Sequence, residues 1–170
     1  MPNAVSFATT ADPSANNIAF TSQWDNYPPE VTVPLNGRAR HAYLLMAGST
    51  NFMQSRMDNG EVAIAYTDGT SARLALRNPE TWWPIEQDYF IDDYQFPMTG
   101  PLPPRVDLKT GTVRLLDLTA FKGKGREIPG GAATVLDLAL DPQKELKSLT
   151  LRTLTNDVVI GLMSATLERP

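Results

Sequence analysis

Hydrophobic and polar residues alternate most clearly in the segment Glu61 to Leu76, EVAIAYTDGTSARLAL. Alternation with a period of two is typical of a β-strand with one buried face, and Asp-Gly between two such runs predicts a hairpin. A two-residue loop of Asp68 and Gly69 would place the large residues of the two strands on opposite faces. A three-residue loop that includes the preceding threonine, with Gly69 left-handed in a bulge, pairs Val62 with Leu74 instead. We predict this second register.

Further strand-like segments follow at short intervals, and no apolar pattern keeps a helical period over three turns. One of them, HAYLLM, is apolar on both faces, as expected for a strand in the middle of a sandwich. At least eight strands are predicted: the two of the hairpin, with Val31–Leu35, His41–Met46, Thr112–Leu118, Ala132–Leu140, Ser148–Leu154 and Val158–Leu167. We predict an all-β fold, a two-sheet antiparallel β-sandwich or jelly roll with one long aromatic, proline-rich loop.

Local signals add detail to this outline. Residues 1–20 are rich in Ala, Ser, Thr and Asn without periodicity, so we predict a flexible N-terminal segment and a single sandwich domain over 21–170. The Asp-Pro step that begins at Asp141 predicts a short helical turn. Gly161, inside the last strand, predicts a bulge or a close approach by another backbone. The glycine- and cation-rich stretch 121–131 is predicted to be a mobile, solvated loop, with an anion-contacting loop as the alternative.

Composition narrows the classes of function. The chain has 170 residues, a net charge of -4 and no cysteine. A domain of this length buries about two thirds of its unfolded surface, and the lack of cysteine excludes disulfides, thiolate zinc sites and thiol nucleophiles. The negative balance gives no electrostatic basis for binding nucleic acid, and no apolar run approaches the ~20 residues of a membrane span. We therefore expect neither a nucleic acid nor a membrane as partner.

The segment Arg77 to Pro104 is a long connection with too many prolines for a central strand. It carries five acids against one cation, which equals the whole net charge of -4. Ordered connections of this length are disproportionately functional. Aromatic rings beside carboxylates fit a carbohydrate, because sugar C–H faces pack on π systems and sugar hydroxyls take directional hydrogen bonds. The predicted carbohydrate-binding residues are Trp82, Trp83, Glu86, Asp88, Tyr89 and Tyr94, together with Trp24.

A packing interpretation of the same aromatic residues stays open. Trp83, Phe90 and Phe96 could instead point inward and cover the open end of the sandwich. The carboxylates would then be ordinary solvated groups. Trp24 could join either the binding surface or the cover.

Cofactor and catalytic chemistry are sparse in the sequence. No cofactor is predicted, and a structural calcium ion bound by Asp88, Asp92 and Asp93 is the alternative, because calcium takes oxygen ligands. His41 is the single histidine and is expected to be structural. A glycosidase needs two carboxylates at a set separation, and Glu86 with Asp92 is a candidate pair. No catalytic residue is assigned.

Five blocks cover most of the chain from Trp24 onward: QWDNYPP, VTVPLNGRARHAYLLMAGST, VAIAYTDGTSARLAL, NPETWWPIEQDY and GGAATVLDLALDPQKELKSLTLRTLTNDVVIGLMSATL. As a set they resemble the galactose-binding-like jelly-roll modules of large glycoside-hydrolase-like proteins from polysaccharide-degrading bacteria. The resemblance implies a non-catalytic β-sandwich that packs on a neighbouring catalytic module of the same parent chain, in the periplasm or the extracellular space. It transfers no sugar-binding residue to this chain.

Together these observations predict a non-catalytic, carbohydrate-associated accessory domain that binds glycan weakly or packs against a catalytic module. A small carboxylate-dependent glycosidase or lyase is one alternative, and it predicts turnover that disappears in Glu86→Gln or Asp92→Asn. A purely structural assembly domain is the other alternative, and it predicts a large exposed apolar patch.

Overall fold

A computed structural model describes residues 5–10, 12, 14–50, 54–88, 91–92, 94, 96–115 and 127–170. The strands are β1 Ala19–Ser22, β2 Glu30–Pro34, β3 His41–Thr50, β4 Asp58–Tyr66, β5 Ser71–Arg77, β6 Arg105–Asp107, β7 Val113–Arg114, β8 Ala132–Ala139, β9 Leu146–Thr153 and β10 Val158–Glu168. They form a six-stranded sheet, β1-β10-β3-β8-β6-β7, and a four-stranded sheet, β2-β9-β4-β5. Every pairing between these strands is antiparallel, and the described residues contain no α-helix. The predicted two-sheet antiparallel sandwich is confirmed, and it is compatible with a jelly roll.

The hairpin of β4 and β5 has the predicted register. Val62 pairs with Leu74, and Gly69 has a left-handed backbone with φ 88°. The N–H of Gly69 donates to the carbonyl oxygen of Tyr66 at 3.1 Å, and the N–H of Tyr66 donates to the carbonyl oxygen of Thr70 at 2.9 Å. The loop therefore has three residues, and this odd length directs the apolar rows of both strands into the sandwich.

The main core lies between the two sheets. Because side chains point to alternate faces of a strand, every second residue of the central strands faces the opposite sheet. The core includes Ala42, Leu44, Met46, Val62, Ile64, Leu136, Leu138, Leu149, Leu151 and Ile160. Trp82, from the connection between β5 and β6, belongs to the same core.

Gly161 marks a close approach, as predicted. A Cβ atom at this position would lie 2.8 Å from the carbonyl oxygen of Ala47. The register of β10 against β3 also shifts between Leu162 and Ser164, which is a bulge shortly after the glycine. The bulge changes which residues of β10 face outward, so Ser164 and the residues two and four positions later lie on the outer face.

Two short strands and one turn differ from the sequence-based outline. β1 and β6 were not predicted, and they pair with β10 and β8, which are distant in sequence. The predicted helical turn at Asp141 is instead a simple hydrogen-bonded turn, in which Oδ1 of Asp141 accepts the N–H of Gln143 at 2.9 Å. Because β9 starts at Leu146, too few residues remain for a helix. The predicted strand Thr112–Leu118 contains β7. Its residues from 116 onward lie outside the described residues, as does most of the predicted loop 121–131.

The described part of the N-terminal segment lies on the outer face of the six-stranded sheet. The hydroxyl groups of Ser164 and Thr166 donate to the carbonyl oxygens of Ala8 and Ser6. The first strand begins at Ala19. The division into a flexible segment and a single sandwich domain stays a prediction.

The hairpin loop makes the stability of the fold depend on pH. Hydrogen bonds from the hydroxyl and the N–H of Thr70, with Lys144 nearby, lower the pKa of Asp68 to about 2. The Oδ1 atom of Asp68 lies 2.6 Å from that hydroxyl and 2.9 Å from that nitrogen. A folded-state pKa below the unfolded value means that the stabilisation is present above about pH 4 and is lost as the pH falls towards 2.

We therefore expect Asp68→Asn to destabilise the fold at neutral pH and to have progressively less effect below about pH 4. Urea unfolding of both proteins between neutral pH and about pH 2 measures the difference. The effect is small, because the carboxylate is exposed. A difference that stays constant over this range would contradict the assigned role of the carboxylate.

Candidate functional site

Four connections leave their strands at the same end of the sandwich. In the six-stranded sheet, Val159 at the start of β10 pairs with Ser22 at the end of β1 and with Ser49 near the end of β3. In the four-stranded sheet, the end of β9 pairs with the starts of β2 and β4, and the start of β4 pairs with the end of β5. We call this surface the loop end: residues 23–29, 54–57, 78–104 and 154–157, so far as they are described.

Hydrogen bonds join these connections to one another and to the neighbouring strand ends. The N–H of Arg56 donates to the carbonyl oxygen of Asn78 at 2.8 Å. The N–H of Leu154 donates to the carbonyl oxygen of Asn59 at 2.8 Å. The side-chain amide of Gln23 donates to the last carbonyl oxygen of β9 at 2.6 Å. These bonds hold the connections against one another and against the ends of β4 and β9.

Large apolar side chains are exposed at the loop end. The exposed fractions are 48% for Trp24, 44% for Met57, 79% for Tyr94 and 45% for Leu154, and each residue comes from a different connection. The guanidinium carbon of Arg56 lies 5.9 Å from the centroid of the Tyr94 ring, a cation–π contact. Single exposed apolar residues need no explanation, but a group of them on one surface indicates a binding surface.

Backbone strain and unsatisfied polar atoms occur at the same end. Among the described residues, Arg56 and Asp157 are the non-glycine residues with left-handed backbones, at φ 61° and 57°. Beneath the loops, the side-chain oxygens of Asn59, Asn78 and Thr155 are buried and have no hydrogen-bond partner within the described part of the chain. Left-handed backbone at residues other than glycine clusters at functional sites, and a buried polar atom without a partner calls for an explanation.

Two of the predicted carbohydrate-binding residues are buried. Trp82 is 0% exposed and lies in the main core, where a Cβ atom on Gly48 would come within 2.8 Å of its ring. Trp83 is 2% exposed, its Nε1–H donates to the carbonyl oxygen of Pro79 at 2.8 Å, and its ring centroid lies 5.7 Å from that of Phe96. A ring without an exposed face offers a sugar nothing to stack on. Burial therefore supports the packing interpretation for both tryptophans.

The other predicted site residues do not form one group. Trp24 and Tyr94 are exposed at the loop end. Glu86 is exposed in the β5–β6 connection. Asp88 is buried, and its carboxylate pairs with an arginine of β7 at 2.8 Å. Tyr89 lies outside the described residues.

Arg56, Met57 and Leu154 were not identified from the sequence. Arg56 and Met57 stand among turn residues in SRMDNG, whereas Leu154 ends the predicted strand Ser148–Leu154, out of step with the alternation of Leu149 and Leu151. Arg56 lies beside the Tyr94 ring, and Met57 and Leu154 reach the same end of the sandwich because the strand ends are aligned, which a single sequence does not reveal. The one signal available in the sequence was Met57, an apolar residue that stands alone inside a polar turn.

Two acids of the β5–β6 connection, Asp88 and Asp92, are engaged with protein donors. Asp92 Oδ1 accepts the N–H groups of Tyr94 at 2.9 Å and Phe96 at 2.8 Å, which fixes the turn beneath the exposed ring. Among the described residues, no group of three or more His, Asp or Glu side chains could hold a metal ion. Asp93 is not described. The alternative of a structural calcium ion, which also uses Asp88, stays a prediction.

The single histidine lies away from the loop end, on the outer face of the six-stranded sheet. Its Nδ1 atom is 2.7 Å from Oδ1 of Asp137. The His41 ring stacks on Tyr43 with centroids 5.7 Å apart. These contacts fit the structural role expected for His41.

Comparisons with protein-family models, with curated proteins and with solved structures find no match to this chain. Within the residues that the structure describes, no helix has both the length and the apolar character needed to cross a membrane. The structure supports the architectural part of the galactose-binding-like resemblance, a two-sheet antiparallel sandwich. The association with carbohydrate and with glycoside hydrolases stays a hypothesis.

Proposed function

We propose that this protein is a non-catalytic, carbohydrate-associated accessory domain and that the loop end is its ligand surface. The observation that carries the proposal is the exposure of Trp24 and Tyr94 at the same end of the sandwich. Exposed aromatic faces suit sugar rings, and the polar atoms of the surrounding turns suit sugar hydroxyls. The resemblance of the sequence blocks to galactose-binding-like modules points in the same direction. By that resemblance, the parent protein is periplasmic or extracellular.

The dimensions of the loop end favour a chain of sugars over a single sugar. Neighbouring strands lie about 4.8 Å apart, so the four-stranded sheet alone is about 14 Å wide. Trp24 follows β1, at one edge of the sandwich, whereas Tyr94 lies beside Arg56, near the β4–β5 side. Separate aromatic contacts on an open surface give weak binding, because such a surface buries less of each sugar than a deep pocket does.

Packing against a neighbouring catalytic module of the same parent chain is the second candidate. Met57 and Leu154 support it, because exposed aliphatic side chains have no π face for a sugar and are common in protein interfaces. Both candidates use the same surface. They differ in whether the isolated protein binds glycan.

A glycan array followed by isothermal titration calorimetry tests the proposal. We expect Trp24→Ala and Tyr94→Ala each to weaken binding of an array hit by about tenfold or more, which corresponds to about 1.4 kcal/mol. The matched control is Val33→Ala, a change at an exposed apolar residue on β2 outside the loop end, and it should bind as the wild type does. All three variants should unfold at nearly the wild-type temperature, because exposed substitutions change stability by about 0.5 kcal/mol or less.

A glycan that binds equally well to the wild type and to both loop-end variants would contradict the proposed surface. An array without any hit would contradict glycan binding by the isolated domain and would leave module packing as the function of the loop end.

A further inference from the structure

The outer faces of the two sheets differ in chemistry. On the four-stranded sheet the outward residues include polar pairs: the hydroxyl oxygens of Thr32 and Thr150 lie 2.9 Å apart, and Arg152 pairs with glutamates on both sides. On the six-stranded sheet the outward residues Leu45 and Val135 are apolar, yet they are only 5% and 6% exposed. An outer face of this kind is buried because another segment covers it.

The N-terminal segment supplies part of that cover. The Thr166 hydroxyl donates to the carbonyl oxygen of Ser6 at 2.6 Å, and the Ser164 hydroxyl donates to the carbonyl oxygen of Ala8 at 2.9 Å. The tripeptide of residues 6–8 therefore runs antiparallel to β10. Between these two anchors, Phe7 packs on the cluster of Leu45, Ala133 and Val135, beside Val106, Leu108 and Met163.

The way in which this segment is attached permits exchange. Among the described residues, no backbone-to-backbone hydrogen bond joins residues 5–10 to the sheet. Cavities of about 430 and 410 Å³ flank the segment, and both are lined by Thr9, Thr10, Asn17 and Met163. The segment is thus held by two hydroxyl groups and one aromatic ring, with open cavities beside it.

We propose that this outer face is a binding groove for an extended peptide with an aromatic side chain between small residues, and that residues 6–8 occupy it in cis. The hydroxyl groups of Ser164 and Thr166 recognise backbone carbonyl groups, which every peptide has. The apolar cluster beneath Phe7 supplies the selectivity, because a single aromatic anchor in an apolar pocket dominates such contacts. The groove lies on a different surface from the loop end, so the inference does not rest on the proposed function.

The covalent link between the segment and the sandwich determines how a partner competes for the groove. A tethered segment has an effective concentration in the millimolar range, so a free peptide with the same contacts must displace it. Phe7→Ala removes the aromatic anchor of the tethered segment and keeps the apolar cluster and both hydroxyl groups. This variant should therefore accept a free peptide more readily than the wild type.

A labelled peptide with the sequence of residues 5–10, VSFATT, tests the inference by fluorescence anisotropy with full-length protein. We expect saturable binding to Phe7→Ala that is about tenfold or more tighter than binding to the wild type. The peptide VSAATT is the matched control for the aromatic anchor. Adding Ser164→Ala and Thr166→Val to Phe7→Ala is the matched control for the hydroxyl groups. Each control should lose most of the binding.

Three results would overturn the inference: equal binding of VSFATT and VSAATT, equal affinity of the wild type and Phe7→Ala, or no binding to a Phe7→Ala protein that unfolds at nearly the wild-type temperature. If Phe7→Ala does not fold, Phe7→Leu gives the same comparison with a weaker loss of packing. A wild-type dimer that becomes a monomer in the Phe7 variant would overturn occupation in cis and assign the groove to the segment of a second copy.

Discussion

Trp82→Ala is expected to lower the free energy of unfolding by about 3 to 5 kcal/mol. The ring is 0% exposed and lies in the main core between the two sheets. It fills the space beside Gly48, where a Cβ atom would lie within 2.8 Å of it. Removing the ring leaves a cavity that the sheets cannot close without shifting. Urea unfolding monitored by circular dichroism measures the loss, which is a large part of the 5 to 15 kcal/mol typical of a domain.

Two companion variants make this result specific. Trp24→Ala removes an exposed ring and should cost about 0.5 kcal/mol or less. Trp82→Phe should have an intermediate effect, because part of the volume stays and the Nε1–H of Trp82 has no hydrogen-bond partner in the described structure. If Trp82→Ala proved as mild as Trp24→Ala, its burial in the core would be wrong.

Arg105→Met is expected to destabilise the fold by about 3 kcal/mol or more. The side chain is buried, and its guanidinium group donates to the carbonyl oxygens of Pro84 at 3.0 Å, Gln87 at 3.0 Å and Ala132 at 2.7 Å. Methionine has a similar length and no donor, so these carbonyl groups lose a partner, and each buried unsatisfied group costs about 1 to 3 kcal/mol. Arg105 thus attaches the β5–β6 connection to β8.

Arg73→Met is the matched control for this substitution. Arg73 is exposed on β5, and its ion pair with Glu61 at 2.9 Å is of the surface kind, which contributes about 1 kcal/mol or less. Urea unfolding of both variants compares a buried arginine with an exposed one in the same background. An Arg105→Met protein as stable as Arg73→Met would show that the three carbonyl groups find other donors.

The register of the β4–β5 hairpin was predictable because it depends on local information. The parity of the apolar positions and the Asp-Gly step together leave one loop length that puts Val62 and Leu74 on the same face. The general fold class followed from the same periodicity, repeated along the chain. By contrast, β1 has four residues and pairs with β10 near the other end of the chain. A strand that short carries no usable pattern, and its pairing is fixed by tertiary contacts.

The candidate site was harder to predict, because burial in an irregular segment has no periodic signature. Trp82 and Trp83 stand next to each other in a proline-rich connection, and each is buried in a different cluster. Trp24 and Tyr94 are 70 residues apart by their numbers, and they share a surface because several strands end together. The amino-acid composition could therefore indicate that aromatic residues contribute to the candidate site, whereas only the fold determines which of them are exposed to solvent.

The loop end and the peptide groove give the proposed accessory domain two separate surfaces. The loop end gathers exposed aromatic and aliphatic side chains from four connections. The groove lies across the outer face of the six-stranded sheet, under the N-terminal segment. Substitutions at Trp24 should therefore leave peptide binding unchanged, and Phe7→Ala should leave glycan binding unchanged, because distant sites without shared partners act independently.

The central claim is that Trp24, and neither of the buried tryptophans, contacts the ligand of this domain. The chain has three tryptophans, and each gives an indole N–H signal in a two-dimensional ¹H–¹⁵N spectrum, which Trp24→Phe assigns by the loss of one signal. Titration with a glycan that binds on the array should shift the Trp24 signal and leave the signals of Trp82 and Trp83 in place. Shifts of Trp82 or Trp83 with an unchanged Trp24 signal would contradict the account.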